Sequence, residues 1–182
     1  MERRTDLFPT ASQTVGPYFA LALPWPEGPY VVSADHSDAI WIRGVVTDGI
    51  GDPIPDALIE TWQADADGSF PEQPDAAFRG FGRCPTDDGG TYGICTIKPA
   101  AVAGPGGATA APYILVAVFM RGLLRPVITR LYFPDEAANA HDPVLSSIPE
   151  PERSTMVATK AEDGYQFDIR LQGEGQTAFF DL

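Results

Sequence analysis

Histidine and cysteine are scarce in this chain of 182 residues, which carries only His36, His141, Cys84 and Cys95. Two cysteines cannot frame a disulfide scaffold, and their spacing matches no zinc ribbon or redox motif, so they read as reduced structural thiols. Both histidines stand in polar, loop-like surroundings, which predicts solvated side chains and not ligands. Basic residues are also few: 12 Lys and Arg face 25 Asp and Glu, giving a net charge of −13. With the cations scattered, no basic stripe exists to track phosphates, which excludes nucleic acid as a partner. No run approaches the ~18 apolar residues that a membrane helix needs. Met1 to Asp6 leads into no signal-peptide core, so the expectation is a cytoplasmic protein without a membrane partner.

What is present points to strands. The 18 Pro and 18 Gly punctuate short runs rich in Val, Ile, Thr, Phe and Tyr, a pattern that favours many strands and turns over long helices. Strands are expected at Ile40–Val46, Leu58–Gln63, Gly93–Ile97, Tyr113–Phe119, Val127–Phe133 and Tyr165–Leu171, with a weaker one at Ala178–Leu182. The expected fold is all-β, a single β-sandwich domain over residues 1–182 with about seven or eight mostly antiparallel strands. Residues 1–38 read as an irregular arm, because Pro9, Pro17, Pro24, Pro26 and Pro29 oppose a helix interior and a central strand. One short helix is expected to open near Pro134–Asn139, with Pro143 helping to end it.

Two acidic glycine turns look alike, Asp65-Ala66-Asp67-Gly68-Ser69-Phe70 and Thr86-Asp87-Asp88-Gly89-Gly90-Thr91-Tyr92. Hairpin chemistry accounts for both. The first begins like a calcium loop, but Gly falls fourth instead of sixth and Ala76 stands where the bidentate Glu belongs, which excludes that site. Because the net charge repels anions, an anion site has to come from locally placed arginines, with Arg121, Arg125 and Arg130 as candidates.

Several motifs together resemble the intradiol ring-cleaving dioxygenases: Arg43 to Asp48, Pro53-Ile54-Pro55-Asp56-Ala57, Ile59 to Gly68, Phe81-Gly82-Arg83, Thr86 to Tyr92 and Thr96 to Pro99. Ser12-Gln13-Thr14-Val15-Gly16-Pro17-Tyr18-Phe19 and Phe167 to Asp181 are the most specific, and they resemble a family member that works as one of two unlike subunits. The resemblance implies a non-haem ferric iron held by two tyrosines and two histidines, and O2-dependent cleavage between the hydroxylated carbons of a catechol, here 3,4-dihydroxybenzoate. In the iron-bearing chain the histidines form a His-x-His, where this sequence reads Ala110-Ala111-Pro112-Tyr113-Ile114-Leu115. One iron tyrosine corresponds to the neighbourhood of Val102, and the other lies in a loop that here reads Pro71 to Asp75. Lacking those donors, this chain is expected to bind no catalytic iron and to have no catalytic residue of its own. The iron is then expected on a homologous partner, the beta subunit of a hetero-oligomer.

The resemblance also implies that the arm lies across the partner's iron pocket and contributes Thr14, Gly16, Pro17 and Tyr18, with Arg121 reaching the substrate carboxylate from the same side. Arg83 and Arg130 are expected to be structural, each paired with a nearby carboxylate. Two other readings compete: a non-enzymatic transthyretin-like or carboxypeptidase-regulatory-like sandwich module, which shares the turn grammar of the middle of the chain, and an intradiol enzyme that acts alone on another catechol. The terminal motifs argue against the first, and the missing ligands argue against the second.

Overall fold

A computed structural model describes residues 9–72, 77–104 and 107–181. Eleven strands are described: β1 (Ile40–Thr47), β2 (Leu58–Trp62), β3 (Phe81–Pro85), β4 (Thr91–Thr96), β5 (Val102–Ala103), β6 (Thr109–Ala110), β7 (Tyr113–Phe119), β8 (Val127–Tyr132), β9 (Thr159–Ala161), β10 (Gly164–Gln166) and β11 (Ile169–Arg170). One sheet has β1 at its centre, antiparallel to β4 on one side and parallel to β10 and β11 on the other, with β9 outside β10. The second runs β3-β2-β7-β8, antiparallel throughout, and β5 pairs with β6 as a small separate ribbon.

The expected all-β sandwich follows from period-2 burial. Ile114, Val116 and Val118 on β7 are buried while Tyr113, Leu115, Ala117 and Phe119 are only partly so. The buried set packs in one cluster with Ile42 and Val46 of β1, Ile59 of β2, Ile94 of β4 and Leu131 of β8. Each such side chain contributes roughly 1.5–3 kcal/mol by leaving water, so this shared layer is the main force joining the sheets.

Several elements differ from expectation. The strand foreseen at Tyr165–Leu171 is two short strands in one continuous register against β1, Trp41 opposite Gly164 and Val46 opposite Ile169. Between them the Phe167 carbonyl is taken by the Tyr92 hydroxyl at 2.7 Å, and the Asp168 carboxylate accepts the Val45 N–H at 3.0 Å. Gly44 is required at this crossing, because a Cβ there would lie 1.9 Å from the Phe167 oxygen. Strand β3 was hidden by Gly82 and Pro85; it lies at the sheet edge, where a missing N–H donor is tolerated. The weak C-terminal strand is only an isolated bridge between Phe180 and Ile128.

The helix readings also need correction. A single turn, α1 (Phe19–Ala22), fits between Pro17 and Pro24 in the arm. Residues Ala137–His141 form a 3-10 helix, and Pro143 opens the next helix, α2 (Pro143–Ser147), instead of ending one. The reason is Asp142, whose side chain accepts the Val144 and Leu145 amides as an N-cap and leaves proline at the position where its missing N–H costs nothing.

The acidic glycine turns share one construction. Asp65 Oδ1 accepts the amides of Asp67 and Ser69, and Asp87 Oδ1 accepts those of Gly89 and Thr91. Gly68 and Gly90 take positive φ of 81° and 72°. Asp48 repeats the pattern on Ile50 and Asp52. These carboxylates are occupied in closing turns.

Candidate functional site

The expected site residues come from two separate stretches that the fold joins. The Thr14 hydroxyl oxygen accepts the Gly122 amide at 3.0 Å, fastening the arm to the turn that follows β7, and also the Gly16 amide at 3.3 Å. Arg121 is thereby brought next to the arm. Gly16 adopts φ 71°, which bends the chain into Pro17 with no side chain in the way. Tyr18 is 77% exposed, and Val15, Leu21 and Leu124 on either side of this junction are exposed as well.

The Arg121 side chain is 65% exposed, and its Nε lies 2.9 Å from Asp56 Oδ2. That oxygen is buried and receives no directed hydrogen bond, so the contact is a charge contact with poor alignment. A pair this exposed contributes at most about 1 kcal/mol, and the guanidinium can be drawn away by a better-aligned anion. Thr14, Pro17, Tyr18 and Arg121 are exposed and Gly16 is half-buried, so these residues form an open patch.

The other arginines are committed elsewhere. Arg83 donates through Nε to Glu60 at 2.7 Å and lies near the rings of Trp25 and Phe81, as expected of a structural ion pair. Arg130 departs from its expected carboxylate pairing: it lies over the Tyr113 ring at 3.9 Å and donates to the Tyr132 hydroxyl at 3.2 Å. His36 and His141 are both exposed, and His36 Nδ1 accepts the Asp38 amide. Cys84 and Cys95 are free thiols, each pushed above its ordinary pKa chiefly by burial, which makes them poor nucleophiles.

The strand that resembles the His-x-His of the iron-bearing chains is also well defined. Val102 pairs with Ala110 across the β5/β6 ribbon, so two positions expected to match iron-ligand regions are neighbours. Just beyond, Asp142 is fully buried and accepts the Ala111 amide at 2.9 Å, the Tyr132 hydroxyl at 3.0 Å, and the amides of Val144 and Leu145. Burial is the main cause that raises the Tyr132 pKa, so the phenol stays neutral and keeps donating. Asp142 was not singled out from the sequence, although Asp-Pro before an apolar turn is a helix-start signal.

A family model described as Dioxygenase matches residues 15–173. The chain belongs to the intradiol dioxygenase family. Its similarity to the protocatechuate 3,4-dioxygenase alpha chain of Burkholderia cepacia is 41% identity, over 98% of this chain and 100% of that protein. The protocatechuate 3,4-dioxygenase beta chain of the same organism is 34% identical over 77% of this chain and 67% of that one. Among solved structures, the dioxygenase domain of a dioxygenase and carbohydrate-binding fusion from Streptomyces sp. SirexAA-E has 26% identity and a TM-score of 0.60, covering 91% of this chain and 99% of that one.

Intradiol dioxygenases depend on non-haem iron, and the donor set here does not fit one. Val102, Ala110, Ala111 and Leu115 offer no ligand atom, Tyr113 is stacked under Arg130, and Asp142 is consumed by four donors. Among the described residues no group of three or more His, Cys, Asp or Glu is placed to hold a metal. The Pro71 to Asp75 loop lies partly outside the described residues. No helix among the described residues is long and apolar enough to cross a membrane.

Proposed function

We propose that this chain is the iron-free subunit of a two-chain intradiol dioxygenase, working with a homologous iron-bearing beta subunit in a cytoplasmic hetero-oligomer. The substrate on this reading is 3,4-dihydroxybenzoate, opened with O2 to 3-carboxy-cis,cis-muconate in the β-ketoadipate route of aromatic catabolism. Residues 1–182 act as one domain, with residues 1–38 as the arm that meets the partner. The observation that carries the reading is the Thr14 to Gly122 hydrogen bond, which gathers the arm and Arg121 into one exposed patch. The near full-length similarity to an alpha chain supports it.

In this role the chain binds and orients. The Gly16-Pro17 backbone is narrow and rigid enough to lie against a flat ring. Thr14 accepts two amides, which leaves its hydroxyl hydrogen to donate, and Tyr18 adds a second hydroxyl. Arg121 exchanges its poorly aligned Asp56 contact for the ring carboxylate in a two-pronged, charge-assisted pair. No step of ring opening is assigned to these residues.

The test is iron content and 3,4-dihydroxybenzoate-dependent O2 uptake, measured on the chain alone and co-expressed with an iron-bearing homologue. The expected result is an iron-free, inactive chain that joins an iron-loaded, active complex. Iron and activity in the lone chain, or no complex at all, overturns the proposal.

A further inference from the structure

Two arginines stand on the face of the β3-β2-β7-β8 sheet turned away from the core, and only one has an acid of its own. Arg83 sits opposite Glu60 in the β2/β3 ladder and is ion-paired with it. Arg130 ends the rung Phe81, Trp62, Leu115, Arg130, which crosses all four strands. Its Nε is buried with no hydrogen-bond partner, and its charge is met by the Tyr113 ring, more distantly by the Phe180 ring, and by one phenolic oxygen. No carboxylate among the described residues lies within ion-pair distance of it. Asp142 is reached only through Tyr132 and is already bonded to three backbone amides.

Arg79 and Arg170 are also half-buried without a carboxylate partner among the described residues, but they donate to backbone carbonyls, whereas Arg130 keeps a buried Nε that donates to nothing. We propose that this face receives the iron-bearing partner subunit and that Arg130 takes a carboxylate side chain from it. The inference rests on the two-chain reading above. Trp62, Leu115, Ala117, Phe119 and Ile128 around Arg130 are all half-buried, a broad patch of aromatic, aliphatic and arginine side chains such as interface cores favour. Once covered, the guanidinium and an incoming carboxylate meet in a low-dielectric setting where a forked pair is strong.

The experiment is the dissociation constant between separately purified chains, for the wild type, Arg130→Gln, Arg130→Lys and, as a control, Arg153→Gln. Arg130→Gln is expected to weaken association by at least about thirtyfold. Arg130→Lys should recover only part of that loss, because the fork geometry is missing, and Arg153→Gln should change little. A second variant, Ala117→Cys, reports coverage if Arg130→Gln folds poorly: its maleimide labelling is expected to slow at least about tenfold on assembly, by burial of the thiol under the partner. No wild-type complex overturns the two-chain reading and this inference together. A wild-type complex with unchanged Arg130→Gln affinity, or unslowed labelling of the Ala117→Cys variant in the complex, overturns this inference alone. Normal assembly of Arg130→Gln together with Arg130-dependent binding of free benzoate reassigns the guanidinium to a small anion and also overturns it.

Discussion

Strand β7 begins and ends in opposite kinds of chemistry. At its start, Ala111, Tyr132, Val144 and Leu145 all donate to one buried carboxylate, and Ala111, Tyr132, Leu145 and Met156 pack together there. Past its end, Arg121 is mostly exposed, its carboxylate contact is badly aligned, and the residues joined to it by Thr14 leave large apolar side chains in water. The first region is finished within the chain and serves stability. The second is open to solvent, which is why it is the part proposed to meet a partner.

That contrast can be broken from either end. Asp142→Ala should produce the largest change: four donors lose their acceptor in a dry site, which costs roughly 3–5 kcal/mol and should appear as a large drop in thermal midpoint. A drop of only a degree or two would mean that the closed region is less decisive than its geometry says. Deleting the arm through Tyr18 should lower the activity of the complex by at least about tenfold with little loss of melting temperature. The cut stops short of Phe19 because that ring is only 8% exposed, and residues 1–8 lie outside the described part of the chain. Full activity after this deletion would detach the arm from the site.

Arg121→Gln should sharpen the comparison further. Losing a charge-assisted contact to the substrate corresponds to a fall of about 10- to 100-fold in kcat/KM, carried mainly by KM if the guanidinium only binds the carboxylate. Stability should move by less than about 1 kcal/mol, since the Asp56 contact is exposed. An unchanged KM with a large melting shift would reverse the assignment and make the pair structural.

The smallest effect is a pH dependence. Asp163 is held below the usual carboxylate range chiefly by its hydrogen bond to Arg43. For Asp135, burial pushes upward but is outweighed by the hydrogen bonds from Lys98 and Tyr165, and the net shift is downward. Carboxylates lowered in the folded state stabilise fully above the unfolded value of about 3.9 and lose that contribution as pH falls through the folded value. Melting temperature is therefore expected to decline below about pH 4, and Asp135→Asn should make the decline shallower.

Much of this was legible in the residues. Alternating apolar runs placed β1, β2, β7 and β8 to within a residue or two, and the Asp-Gly turns were recognised because Asp closes such loops locally. The two stretches proposed to form the site were named from the sequence, as the Thr14 to Tyr18 motif and Arg121. Their junction was not, since a bond between residues 108 positions apart leaves no local trace. Arg130 was misread for the same reason: its ring partner Tyr113 lies across the β7/β8 ladder, where a register decides what it meets.

The sequence by itself determined the all-β class, the family and the absence of a His-x-His over residues 110–115, because hydrophobic period, turn chemistry and residue identity are carried by neighbouring residues. Only the tertiary structure decided that Asp142 is spent inside, that the arm is tied to the turn carrying Arg121, and that Arg130 meets tyrosines but no acid among the described residues. Those outcomes depend on which groups meet after distant segments pack, and on what burial then does to each charge.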